Sequence, residues 1–176
     1  MKNLDLTLKK EIFPIGLVLI LILSRLIPHP PNFTPVVAVA IMSGYLFKNI
    51  YISFITLLIS MLIADVFIGF YENIFFVYLS LLILVYIFYK ISKKINLKNL
   101  FLFSFAGSIL FFIITNFGVW LLESPGIDNL PYDRSIEGLI KCYILALPFI
   151  KNTFLSTIIF AYGAFLANNF LNKSTT

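Results

Sequence analysis

Between Arg25 and Pro35 the chain reads Arg-Leu-Ile-Pro-His-Pro-Pro-Asn-Phe-Thr-Pro. Four prolines within eight residues cannot continue a helix, because each lacks a backbone donor and biases the residue before it toward an extended conformation. A stiff, extended loop is therefore expected. It carries a cation (Arg25), the chain's only imidazole (His29), an amide (Asn32), a phenyl ring (Phe33) and a hydroxyl (Thr34). Such a set suits a small molecule with polar groups on an apolar body, since ligand pockets combine apolar walls with a few placed polar groups. The plainer reading of the loop alone is a rigid connector whose Arg25 snorkels to a membrane interface.

Two further clusters are expected at the same level. Asp65, in Ala64-Asp65-Val66-Phe67-Ile68-Gly69, is the only acid inside an apolar run. An ionised group inside a bilayer costs roughly 2.5 to 3.5 kcal/mol even on insertion scales, so it is expected to face the bundle and find a partner, with Arg25 the natural candidate. Asn116 and Trp120 lie four apart in Thr115-Asn116-Phe117-Gly118-Val119-Trp120 and so share one helix face. They offer an amide and a large ring with an N–H, although Trp120 also suits an interfacial aromatic belt. Asn152, after Pro148-Phe149-Ile150-Lys151, is placed to close the same pocket. The candidate substrate-binding residues are thus Arg25, His29, Asn32, Phe33, Thr34, Asp65, Asn116, Trp120 and Asn152.

Other chemistries lack residues. The chain contains no HExxH, GxSxG, P-loop or GxGxxG arrangement, and a single Cys142 with a single His29 is too few for a site of dedicated Cys/His metal ligands. No metal, no cofactor and no enzymatic activity are expected. The net charge of +5 could suggest nucleic acid, but the lysines fall in short clusters beside apolar runs, which is the pattern of membrane topology signals.

The elements that must position these residues are membrane helices. Of 176 residues, 60% are hydrophobic and 12% charged, against about 25% charged in soluble domains. The mean hydropathy is +0.99. Apolar runs separated by polar or proline-rich breaks predict six spans, Ile12–Ile27, Pro35–Phe47, Ile50–Phe70, Ile74–Ile91, Leu100–Leu122 and Thr153–Leu171. They form one all-α integral membrane domain over 1–176, with short polar tails at 1–11 and 172–176. The first run ends in Ser24-Arg25-Leu26-Ile27-Pro28 without a small-residue cleavage site, so it is expected to be retained as a span. A weaker piece, Ile136–Ile150, contains Glu137, Lys141 and Pro148 and is expected to be a separate interfacial or re-entrant helix. If the spans alternate, nine lysines fall on one side and Arg25, Arg134, Lys141 and Lys151 on the other, which puts both termini in the cytoplasm of a multi-pass protein of the cell membrane. Ala40 and Gly44, four apart in the short second span, permit close helix contact.

The order of these features resembles the substrate-specificity (S) components of energy-coupling factor transporters, and within them an uncharacterised family of putative transport proteins. The resemblance rests on Arg25 to Pro35 after the first span, Ala38/Ala40 and Gly44 in a short second span, Ala64-Asp65 near the end of the third, Thr115 to Trp120, and Leu147-Pro148-Phe149-Ile150-Lys151-Asn152. It implies a six-helix membrane subunit that captures a vitamin or related micronutrient from outside, driven by a transmembrane coupling protein with two ATPase subunits. The first span departs from many S components, because Gly16 is followed at the small-xxx-small spacing by Ile20. Docking of a coupling protein then falls to Ala40 and Gly44. The alternative is a structural membrane scaffold of the small bacterial cell-shape type, which needs no polar pocket.

Overall fold

The structure is a computed structural model that describes residues 15–126 and 130–173, with side chains as far as 170. The expected tail 1–11, the start of the first span at Ile12, and the end of the second tail lie outside the described residues. All regular structure among the described residues is helical: α1 (Ile15–Leu26), α2 (Val36–Phe47), α3 (Ile50–Ile68), α4 (Ile74–Lys90), α5 (Leu97–Leu121) and α6 (Ile136–Lys173), with a 3-10 turn at Ser92–Lys94. The helices start and stop where local chemistry directs. Asn49 accepts from the backbone N–H of Tyr51 and Ile52, and Asn96 from those of Lys98 and Asn99, so each satisfies donors that the first turn leaves open. Ser135 accepts from the N–H of Gly138 in the same way at the start of α6. At the other ends, Lys48 (φ 53) and Gly69 (φ 101) take left-handed conformations that release the chain from α2 and α3.

The packing is inverted relative to a soluble bundle. On α3 the buried residues are Ser53, Thr56, Leu57, Ser60, Met61, Ala64 and Asp65, at helical spacing, whereas Ile55, Ile59, Leu62, Val66 and Phe67 are exposed. On α5 Ser104, Gly107, Ser108, Thr115 and Gly118 turn inward, and Phe101, Leu102, Phe105 and Ile113 outward. Small and weakly polar residues let backbones approach, and large apolar ones meet hydrocarbon, which is how helices pack in lipid. Three helices, α3, α5 and α6, are long and apolar enough to cross a bilayer, and α1, α2 and α4 are shorter apolar helices. The protein is a helical membrane protein.

The short α2 is central. It packs against α3, α4, α5 and α6, and every residue from Val36 to Gly44 is buried. Ala40 and Ile41 join Leu21, Leu57, Leu81, Leu84, Val85 and Phe88 in the main cluster, and Ala38 and Met42 join Ile95, Leu100, Ala161 and Phe165 in a second. Ala40 and Gly44, expected to dock another protein, here face the neighbouring helices of the same chain. Ala40 has no exposed surface, and a Cβ on Gly44 would stand 2.6 Å from the Cα of Tyr89, so the pair lets α4 close onto α2.

A correction concerns the end of the chain. The expected interfacial helix Ile136–Ile150 and the expected span from Thr153 are one continuous helix of 38 residues with Pro148 inside it. Proline is tolerated in membrane helices when neighbours re-satisfy the freed backbone groups. Hydroxyls line the next turns, with Thr153 donating to the Phe149 carbonyl (3.0 Å) and Thr157 to that of Thr153 (2.6 Å). At a rise of 1.5 Å per residue α6 is about 57 Å long, against a hydrocarbon core of about 30 Å, so it extends well beyond the core.

Candidate functional site

At one end of the bundle, the α1–α2 loop, the α3–α4 link and the segment after α5 surround a cavity of about 870 Å³. Arg25 reaches it from the last turn of α1, His29, Asn32 and Thr34 from the first loop, Tyr71, Glu72 and Asn73 from the second, and Ser124, Pro125, Gly126 and Tyr132 from the third. Thr115, Asn116 and Val119 of α5 and Cys142, Ala146 and Phe149 of α6 complete one wall, with Val36, Val77 and Phe111 deeper in. Five of the nine expected site residues meet here: Arg25, His29, Asn32, Thr34 and Asn116.

The loop does not run extended throughout. The N–H of Phe33 donates to the Pro30 carbonyl (3.0 Å), with Pro31 and Asn32 in the central positions and Asn32 at φ 60. Proline followed by a residue of positive φ is the arrangement of a type II turn, in which asparagine stands in for glycine. The turn exposes His29, whose Nδ1 lies 2.9 Å from the Ile27 carbonyl, and Asn32.

Arg25 and Asp65 pair, as their expected depth required, with Nη2 2.6 Å from Oδ1. The Asp65 side chain is fully buried and Arg25 is 12% exposed. Tyr78 donates to the second oxygen at 2.7 Å, and Arg25 Nη1 donates to the Met61 carbonyl at 3.3 Å. Asp65 thus stands behind the arginine and is not among the residues that line the cavity. The pair is nearly neutral as a unit, and Glu72 adds a carboxylate at the rim that forms no salt bridge among the described residues.

Three other expected contacts, Phe33, Trp120 and Asn152, are not among the lining residues either, and each side chain is engaged elsewhere. Phe33 packs edge-on against Phe160 of α6 (ring centroids 6.4 Å apart). Trp120 donates from Nε1 to the Asp133 carbonyl (3.0 Å) and stands against Phe117, fastening the segment that follows α5. Asn152 donates from Nδ2 to the Pro31 carbonyl (3.0 Å), fastening the first loop to α6. These residues hold the cover of the cavity and leave its lining to others.

The lining includes polar residues that the sequence reading did not single out. Asn73 donates from Nδ2 to the Thr115 carbonyl (2.9 Å), and its Oδ1 is buried with no hydrogen-bond partner. Ser124, 5% exposed, has a buried hydroxyl oxygen in the same condition. Both oxygens are enclosed and do not face the cavity, whose polar lining comes from side chains such as Arg25, His29, Asn32, Thr34 and Glu72. Asn116 donates to the Phe112 carbonyl one turn back (2.8 Å), and Cys142 donates to the Asn116 carbonyl (3.4 Å). Tyr71 lies in the α3–α4 link, and its hydroxyl is pushed up to about 12 by burial first and by the Asp65 charge second, partly offset by Arg25. It therefore presents a neutral phenol across the physiological range. The depth argument that chose Arg25 and Asn116 applies equally to Tyr71-Glu72-Asn73, the polar break between the third and fourth spans.

The sequence family described as "Family of unknown function (DUF6580)" matches residues 6–176. No curated protein and no solved structure matches the chain.

Proposed function

We propose, for a chain that belongs to the DUF6580 family of unknown function, a role as a membrane uptake subunit that binds a small organic solute of micronutrient size in the cavity beneath the loop Pro28–Pro35. One observation carries this reading. A volume of about 870 Å³ falls in the range of small-molecule sites, roughly 300 to 1,000 Å³, and the wall mixes aliphatic and aromatic surface with amides, hydroxyls and one guanidinium. A structural scaffold has no use for such a cavity.

In this reading all six helices cross the bilayer, both termini are cytoplasmic, and the cavity opens outward, in keeping with the excess of lysine at the opposite end. The resemblance to S components supplies the rest: capture without chemistry, and uptake driven by a separate coupling protein with two ATPase subunits. With Ala40 and Gly44 turned inward, that partner would dock on an outer helix face.

Native mass spectrometry of the gently extracted protein tests the proposal. The expected result is a discrete small-molecule adduct that Asn116→Ala and Thr34→Val each diminish while the amount of folded protein stays the same. Extraction under several mild conditions that always yields bare protein, or only lipid in the cavity, would sink the uptake reading and bring the scaffold forward.

A further inference from the structure

A second cavity, of about 640 Å³, opens at the opposite end of the bundle between the end of α2 and the end of α4. Its wall includes Lys48, Lys90 and Lys93 together with Tyr45, Tyr89 and Ser92. Among the described residues none of the three lysines forms a salt bridge. Every described acid belongs to the other end: Asp65 and Glu72 close α3 and follow it, and Glu123, Asp133 and Glu137 border the link from α5 to α6. Three ammonium groups around one hollow repel each other, and no described residue brings a full negative charge to offset them. The last carbonyls of α2 and α4 contribute partial charge only, and those of Gly44 and Ile87 already accept from Lys48 and Ile91.

The surroundings indicate what kind of anion. Lys90 stands over the Tyr86 ring, 5.4 Å from its centroid, which steadies the side chain without neutralising it. Tyr86 and Ile87, four and three residues before Lys90 on α4, and Tyr51 and Ile52, three and four residues after Lys48 at the start of α3, are exposed. The lysines of the hollow are thus flanked along α4 and at the start of α3 by exposed apolar and aromatic side chains. Basic pockets between membrane helices suit phospholipid head groups, and an apolar flank suits the acyl chains. The geometry points to a binding site for the phosphate of an anionic phospholipid, held by Lys48, Lys90 and Lys93, with its chains along Tyr86 and Ile87. This site is independent of the solute reading of the first cavity.

The test reconstitutes the full chain in vesicles of mixed phosphatidylglycerol and phosphatidylcholine, extracts it gently and weighs the retained lipid by native mass spectrometry. Wild type is expected to retain phosphatidylglycerol in preference. The double variant K48Q/K93Q should lower that preference about thirtyfold, at about 1 kcal/mol for each lysine's pull on anionic lipid. K94Q/K98Q, which removes the same charge from the same end outside the hollow, should keep it, and K48R/K93R should keep it too, separating loss of charge from loss of fold. Equal retention of the two lipids by wild type, or an equal effect of K94Q/K98Q, overturns the proposal. A parallel titration with inorganic phosphate distinguishes the source: stabilisation by phosphate with no lipid preference overturns the lipid assignment in favour of a soluble phosphate ester.

Discussion

Asn152 of α6 donates to the carbonyl of Pro31, 3.0 Å away, and so ties the proline-rich loop to a helix 121 positions later in the chain. Together with the edge contact of Phe33 on Phe160 it fixes the loop over the first cavity. Asn152→Ala removes the tie at a cost of about 1 kcal/mol, the net value of an ordinary hydrogen bond. Little global destabilisation is therefore expected, but proteolysis within Pro28–Pro35 should become faster and the exchange of any bound solute quicker. Unchanged proteolysis of the loop would show that Phe33 alone suffices to hold it.

Arg25→Ala leaves the fully buried Asp65 carboxylate with only the Tyr78 hydroxyl. Breaking a buried pair from one side costs about 3 to 5 kcal/mol, so folded yield and thermal stability in detergent should fall sharply. The exchange R25D/D65R should recover part of the loss. Absence of any recovery would assign the arginine's main role to the cavity and not to the pair.

Tyr71 supplies a pH signature. Its folded value of about 12 lies above the ordinary 10.0, so the folded state holds its proton more tightly. The associated stability is complete below pH 10.0 and is lost as pH rises toward about 12. Alkaline melting curves of Tyr71→Phe should accordingly fall less steeply over that window than those of wild type, and both should coincide at neutral pH. Identical alkaline slopes would mean that the phenol is not held in the environment described.

Gly44→Ala tests the closure of α4 on α2, since the added Cβ would stand 2.6 Å from the Tyr89 Cα and a backbone must move. Overpacking of this kind typically costs about 1 to 3 kcal/mol. Gly163→Ala, where nothing lies within 4 Å, should be nearly neutral in the same melting experiment.

Much of this fold was legible in the sequence because hydropathy and proline act locally. The spans around α2 to α5 match to within about three residues, and the Arg25–Asp65 pair followed from the cost of a lone charge at depth. Pro148 misled for the same local reason: it breaks helices in water, whereas prolines are tolerated in membrane helices and α6 runs through this one. The inward and outward sides of α3 and α5 were also readable, in the helical spacing of Ser53, Thr56, Ser60 and of Ser104, Gly107, Ser108, Thr115. What depth could not tell is which way a side chain turns. Trp120 and Asn152 lie at the right level but spend their donors on Asp133 and Pro31, whereas Asn73 and Ser124, in links that attracted no attention, keep oxygens unpaired.

The unbroken run of α6 gives the molecule a lever. Asn152 grips the loop over the first cavity, and Asn169 accepts from the Tyr45 hydroxyl beside the second, 17 positions further on. That separation is about 26 Å along a rod with no joint between the two grips. Tilting such a rod by about 10° about its middle carries each end through about 2 Å in opposite senses, the size of the helix shifts that accompany switching. Both grips lie beyond Pro148, so the joint-free stretch between them delivers the opening of the loop to the lysine-lined end as a displacement of the same size.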